Sequence, residues 1–117
     1  MTVKELSEAM YLKEFCLPAP ELEISGGYSG DLLSWVMGRA EEGNAWLTIM
    51  SNQNVAAVAV MTDLSCIILT EDVQPDPQLL DRCKKEGINL LGTALGTFDA
   101  SARLSEVLGR EQDHIAW

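Results

Sequence analysis

Gly26, Gly27 and Gly30 stand between a β-type run, Glu23-Ile24-Ser25, and an apolar stretch that opens at Asp31. Strand, glycine loop and helix, in that order, form the layout of a phosphate-binding loop. That chemistry needs backbone N–H groups converging on the anion, normally with a cation beside them. A Walker A loop requires G-x-x-x-x-G-K-[ST], and the chain has no Gly-Lys pair. The dinucleotide spacing G-x-G-x-x-G is also absent. Asp31 falls at the predicted N-cap, where its carboxylate would satisfy the free N–H groups and repel a phosphate. Two readings remain for the loop. Gly26 and Gly27 supply positive φ for a sharp strand-to-helix turn, or the loop holds up Tyr28 and Ser29 as contacts for a ligand or partner.

The other reactive residues are sparse. No serine has a histidine partner in a nucleophile–base arrangement, and the single histidine, His114, lies close to the C-terminus. Cys16, Cys66 and Cys83 are far apart and include no C-x-x-C pair, which fits reduced thiols without metal. Glu71 and Asp72 are adjacent acids that could hold magnesium or simply stay solvated. No catalytic residue, metal site or cofactor is expected.

Elements that would position these groups follow from caps and periodicity. Thr2 and Glu5 have capping-box spacing for a helix to about Met10. "LKEFCL" and "ELEIS" read as strands, the second running into the glycine loop. Asp31 is predicted to cap a helix through Glu42, with Gly43 just past its end. From Ala45 strands and helices alternate: "AWLTIM", "NVAAVAVMTD", "SCIILT", "DPQLLDRCKKEG", "INLLG" and "TFDASARLSEVLG". Asp76, Pro77 and Gly87 mark the ends of the fourth helix, with Asp76 as its N-cap, and Gly109 closes the fifth. This alternation predicts right-handed crossovers and a parallel sheet built from strands near 45–50, 65–70 and 88–92. Strands near 13–17 and 22–26 are expected together at one side. One α/β domain over residues 1–109 and a tail over 110–117 are the expected organisation.

In a parallel sheet, ligands bind beyond the carboxyl ends of the strands. The loops there carry Ser51, Asn52, Gln53 and Asn54; Thr70, Glu71 and Asp72; and Gly92, Thr93 and Ala94. With Gly27, Tyr28 and Ser29 they form the candidate ligand site. They offer hydroxyls and amides, but no Lys, Arg, His or Cys. Asn52 or Asn54 also suits the N-cap of the next helix. That helix, 54–62, is apolar on almost every side. It is either buried against the sheet, its alanines allowing close approach, or covered on one side by a second copy. Trp35, Ala57, Val58 and Met61 are the candidate contacts of such a homodimer.

The 117 residues carry a net charge of −10, and their basic residues are scattered except for Arg82, Lys84 and Lys85. That excludes nucleic acid and an anionic membrane surface as expected partners. The first ten residues lack the apolar core of a signal peptide. The longest uninterrupted apolar run, Val55–Met61, cannot span a bilayer. A cytoplasmic location is expected.

The stretch from "ISGGYSGDLLSWVMGRA" through "AWLTIMSNQNVAAVAVMTDLSCIILTEDVQPDPQLLDRCKKEGINLLGTALGTFDASARL", roughly residues 20–108, resembles the DRTGG domain family, similar to the N-terminal domain of HPr kinase/phosphorylase. The string Asp-Arg-Thr-Gly-Gly itself does not occur; the corresponding loop reads Met50-Ser51-Asn52-Gln53-Asn54. The resemblance implies a three-layer α/β/α fold with a mostly parallel sheet, often dimeric. It implies a regulatory or accessory domain, here stand-alone, that binds a partner protein or small ligand at the strand-end loops. A nucleotide-sensing domain using the same crevice is the alternative, and a small enzyme the third reading.

Overall fold

The computed structural model describes residues 1–109. The elements run α1 (Val3–Met10), β1 (Lys13–Cys16), β2 (Gly26–Ser29), α2 (Leu33–Arg39), β3 (Asn44–Thr48), α3 (Asn54–Met61), β4 (Cys66–Leu69), α4 (Pro77–Glu86), β5 (Leu90–Gly92) and α5 (Thr97–Val107). The five strands form one sheet in the order β1-β5-β4-β3-β2. Strands β2 to β5 are parallel, and β1 pairs antiparallel with β5. The expected parallel sheet is therefore present. Each of β3 and β4 has all its residues buried, because helices cover both faces.

The side chains alternate between two cores. Trp46, Ile67, Leu69 and Leu90 face α2, α3 and α4 through Val36, Val55, Val58, Leu79 and Cys83. Ala45, Leu47, Ile68 and Leu91 face α1 and α5 through Leu6, Met10, Ala100 and Leu104. This is the three-layer α/β/α arrangement. Among the described residues no helix is long and apolar enough to cross a membrane.

Several expectations need correction. The strand placed at 22–26 lies at Gly26–Ser29, so the glycines are inside the strand and not in a turn after it. Neither Gly26 nor Gly27 has positive φ; among glycines that conformation belongs to Gly43, Gly87 and Gly109. Gly27 is bare for packing. A Cβ there would lie 2.7 Å from Leu104 Cδ2 on α5. The strands β1 and β2, expected side by side, are at opposite edges. The segment between them crosses the amino end of the sheet, tied down by Asn89 and Ser65. Helix α2 ends at Arg39 and not Glu42. Asn44 organises the turn that follows, its Oδ1 accepting from Glu41 N at 3.0 Å.

Candidate functional site

The carboxyl ends of β2, β3, β4 and β5 point the same way, as parallel pairing requires, and the four loops beyond them are joined by side-chain hydrogen bonds. After β2, Trp46 Nε1 donates to Gly30 O at 2.9 Å. Asp31 does not cap α2. The N-cap is Leu32, with no side-chain cap bond. The Asp31 carboxylate instead turns back to β3. Its Oδ1 accepts from Thr48 Oγ1 at 2.8 Å and from Ile49 N at 3.0 Å. The hydroxyl of the last β3 residue and the first backbone N–H beyond it thus share a charged acceptor, and the expectation of an Asp31 N-cap is corrected.

After β3, the N-cap of α3 is Gln53, with no side-chain cap bond, and not Asn52 or Asn54. Asn52 Oδ1 instead accepts from Asn54 N, at the first residue of the helix, at 2.9 Å. Ser51 Oγ donates to Asp76 Oδ1 at 3.2 Å, while Asp76 N donates to Ser51 O at 3.0 Å. Asp76 is the N-cap residue of α4 as expected, but its carboxylate reaches the neighbouring loop and not its own helix.

After β4, Glu71 and Asp72 both adopt left-handed backbone, with φ of 61° and 60°. L-residues visit that region at a cost. The conformation sends Glu71 N to Leu95 O and Asp72 N to Thr93 O, fastening this loop to the one after β5. It also brings Glu71 Oε2 to Thr97 N at 2.9 Å, on the first turn of α5. Thr70 and Thr97 share a hydroxyl–hydroxyl bond of 2.6 Å beneath it. Glu71 is therefore a helix cap supplied from a different loop. Among the described residues no three Cys, His, Asp or Glu side chains converge as metal ligands.

Of the residues expected at this site, Ser51, Asn52, Asn54, Thr70, Glu71 and Thr93 do cluster beyond the strand ends. Ser29 lies exposed at the last residue of β2. Gly27 does not join them, because it pairs with Ala45 near the start of β3. Tyr28 packs half-buried against the α2–α4 core. Thr70 is fully buried, so its hydroxyl holds the loops and is not offered outward. Sequence reasoning missed Thr48, Trp46 and Thr97 and gave Asp31 a different role. Their roles depend on pairs remote in sequence, and no local spacing signals them.

Four carboxylates, those of Asp31, Glu71, Asp72 and Asp76, ring these loops. Lys13, on the edge strand β1, donates to Gln74 Oε1 at 3.3 Å, and Arg82 and Lys85 of α4 line a cavity with Gln53. The cleft between Lys13, Phe15, Asp72 and Thr93 holds about 40 Å³, room for a water and not for a phosphate. Apolar side chains stand around the loops: Phe98 is 85 % exposed, and Leu32 and Ile49 are exposed as well.

The expected dimer residues divide. Trp35 and Met61 are exposed, and Ala57 is half-buried. Val58 is buried in the core, so it lies beneath any outer surface. The Arg39 guanidinium stacks on Trp35, 4.1 Å from the ring centre. The three cysteines are free thiols. Burial pushes the Cys66 and Cys83 thiols up to about 12 and raises Cys16 as well. This is the reverse of what a nucleophilic thiolate needs. His114 and the expected tail lie outside the described residues.

A family model described as the DRTGG domain matches residues 33–107. The fold is similar to a crystal structure of the CBS and DRTGG domains of the regulatory region of Clostridium perfringens pyrophosphatase, complexed with its activator, diadenosine tetraphosphate. The TM-score is 0.65 at 12% identity, over 88% of this chain and 45% of that one. The chain thus spans less than half the length of that structure. No curated protein matches the sequence. The match over more than half of the sequence and the shared fold lead to one assignment: this chain belongs to the DRTGG domain family.

Proposed function

We propose that the chain is a non-catalytic regulatory domain, a single α/β unit over residues 1–109, that binds a partner protein or a small ligand on the strand-end surface. The observation that carries this is the cross-linking of the four loops. Asp31, Ser51, Asp76, Glu71, Thr70 and Thr97 spend their polar groups on one another or on backbone. The surface is thereby stiffened for recognition, which lowers the cost of binding. Asn54, Asn52 Nδ2, Thr93 and the exposed Phe98 remain to make contacts. The raised thiols of Cys16, Cys66 and Cys83, the reverse of what a nucleophile needs, support a domain that does no chemistry.

Nucleotide sensing is the second reading, and a specific observation favours it: the similar pyrophosphatase region binds diadenosine tetraphosphate. The four carboxylates around the loops weigh against a polyphosphate. Titrating the isotopically labelled protein with ATP, AMP and diadenosine tetraphosphate separates the two. The proposal expects amide shifts at 51–54, 70–72 and 93–97 to stay within noise at millimolar nucleotide. Saturating shifts there would establish the second reading.

The same proposal takes the protein as cytoplasmic and as a homodimer, joined through the exposed α2 and α3 surface of Leu32, Trp35, Val60 and Met61. Light scattering at micromolar concentration tests the dimer, with Trp35→Glu and Met61→Glu expected to give folded monomers.

A further inference from the structure

We propose that β2 is an acceptor edge: a partner protein adds an extended, basic segment to the sheet beside Gly26–Ser29. This is separate from the strand-end surface and does not rest on it.

The hydrogen-bond parity fixes which backbone groups are available. Gly30 N donates to Leu47 O, and Thr70 N to Thr48 O. In β3, Leu47 therefore bonds towards β2 and Thr48 towards β4. In a parallel pair the bonding residues alternate. Tyr28 and Gly30 thus bond inward to β3, and Gly27 and Ser29 direct their N–H and C=O groups away from the sheet. Both are exposed. Among the described residues, neither N–H has an acceptor outside the sheet. An incoming backbone meets no side chain at Gly27 and only a hydroxymethyl at Ser29.

The two edges of the sheet are treated differently. Edge strands are normally blunted by lysine, proline or a bulge. The β1 edge has two of these devices: Lys13, and a register break between Glu14 and Cys16. The β2 edge has none, and its register with β3 is regular over all four residues.

Charge identifies the kind of partner. Lys4, Lys13, Arg82, Lys84 and Lys85 lie on α1, β1 and α4, with α4 packed beside β1 at the far edge. Around β2 the chain is acidic. Exposed Glu41 and Glu42 adjoin its start, where Ser25 Oγ donates to Glu42 O at 2.7 Å. Asp63 O accepts from Gly43 N beside them, and Asp31 follows its end. The basic residues on this side are Arg39, stacked on Trp35, and Arg103 on α5. A second copy would set these acids against themselves, whereas a lysine- or arginine-bearing strand complements them. Strand addition takes its affinity from main-chain bonds and its selectivity from such flanking groups.

The test uses the full chain, isotopically labelled, with a capped hexapeptide of alternating Lys and Val as probe and alternating Glu and Val as control. The Lys-Val peptide is expected to shift the Gly27 and Ser29 amides and slow their hydrogen exchange at least tenfold, while the control does neither. Ser29→Pro removes an outward donor where proline is tolerated in an edge strand, and it should abolish the effect with the rest of the spectrum unchanged. Should that variant unfold, a probe N-methylated on its pairing edge should fail with the wild-type chain. Three results would overturn the proposal: no change at these amides, equal response to both peptides, or protection already present without peptide, whether at dilution or growing with protein concentration.

Discussion

The two ends of the sheet are both held by polar side chains, but of different kinds. At the amino end the groups are neutral and buried. Asn89, fully buried, accepts from Ala19 N at 2.9 Å and donates to Ala19 O at 2.7 Å and Ser65 O at 3.0 Å. Asn44 and Ser65 fix the neighbouring turns in the same way. At the carboxyl end the buried Thr70 hydroxyl pairs with Thr97, but most of the bracing comes from carboxylates reaching in from solvent-exposed positions: Asp31, Glu71 and Asp76. A buried amide must find every partner inside the protein. An exposed carboxylate keeps free lone pairs and its hydration. The amino end is thus a closed joint, and the carboxyl end is a braced surface still open to contact.

The sharpest break of this comparison is Asn89→Ala. It removes three hydrogen bonds, leaving the Ser65 carbonyl and the half-buried Ala19 N–H without the amide, while Ala19 O keeps only Leu22 N at 3.3 Å. Each unsatisfied buried group costs about 1–3 kcal/mol, so a loss of roughly 3 kcal/mol or more is expected in chemical denaturation. A loss under about 1 kcal/mol would mean that water replaces the amide and that the amino end is open after all.

Asp31→Ala comes next. Two acceptor bonds to Thr48 and Ile49 disappear, one from a buried hydroxyl. About 1–2 kcal/mol should be lost, less than at Asn89 because solvent reaches Ile49. Asp31→Asn keeps an acceptor and should recover most of it. If instead the α2 amides alone lose protection from hydrogen exchange, Asp31 acts as the cap of its own helix.

The elements with local signals were legible: the capping box at Thr2 and Glu5, Pro77 and Gly87 at the ends of α4, and the strand–helix rhythm from β3 onward. The three-layer fold follows from that rhythm and from strands apolar on both faces. The glycine segment misled for a physical reason. Gly26-Gly27 has the composition of a turn, but Leu104, far along the chain, needs the space a Cβ would fill. The site was half legible. Which loops gather at one end follows from parallel topology, so Ser51, Asn52, Thr70, Glu71 and Thr93 could be named. What each carboxylate does there depends on partners more than 15 residues away, such as Thr48 for Asp31 and Thr97 for Glu71.

Glu71→Ala tests the cross-loop cap. Losing an N-terminal cap costs about 1 kcal/mol, and the loss should be confined to α5, read as faster exchange of its first-turn amides. Glu71→Gln retains an oxygen acceptor and should cost less. A uniform loss over the whole sheet would show that Glu71 acts through the backbone of its loop.

The smallest effect, and the only one of opposite sign, is expected at Asp72→Gly. Glu71 and Asp72 share the same left-handed backbone, but only Glu71 is repaid by a close side-chain bond. The Asp72 carboxylate has Gln74 Nε2 at 3.5 Å, and that amide already donates to Asp72 O at 3.0 Å. Left-handed backbone costs an L-residue about 1–2 kcal/mol relative to glycine. Glycine returns roughly 0.5–1 kcal/mol of that through its greater unfolded-state entropy. A net gain of about 0.5 kcal/mol should result, seen as a small rise in denaturation midpoint. At Glu71 the same change relieves the backbone but removes the cap, so the two terms should nearly cancel. If Asp72→Gly destabilises the protein instead, its carboxylate has a bracing role like that of Asp31, and the carboxyl end is as fully committed to holding itself together as the amino end.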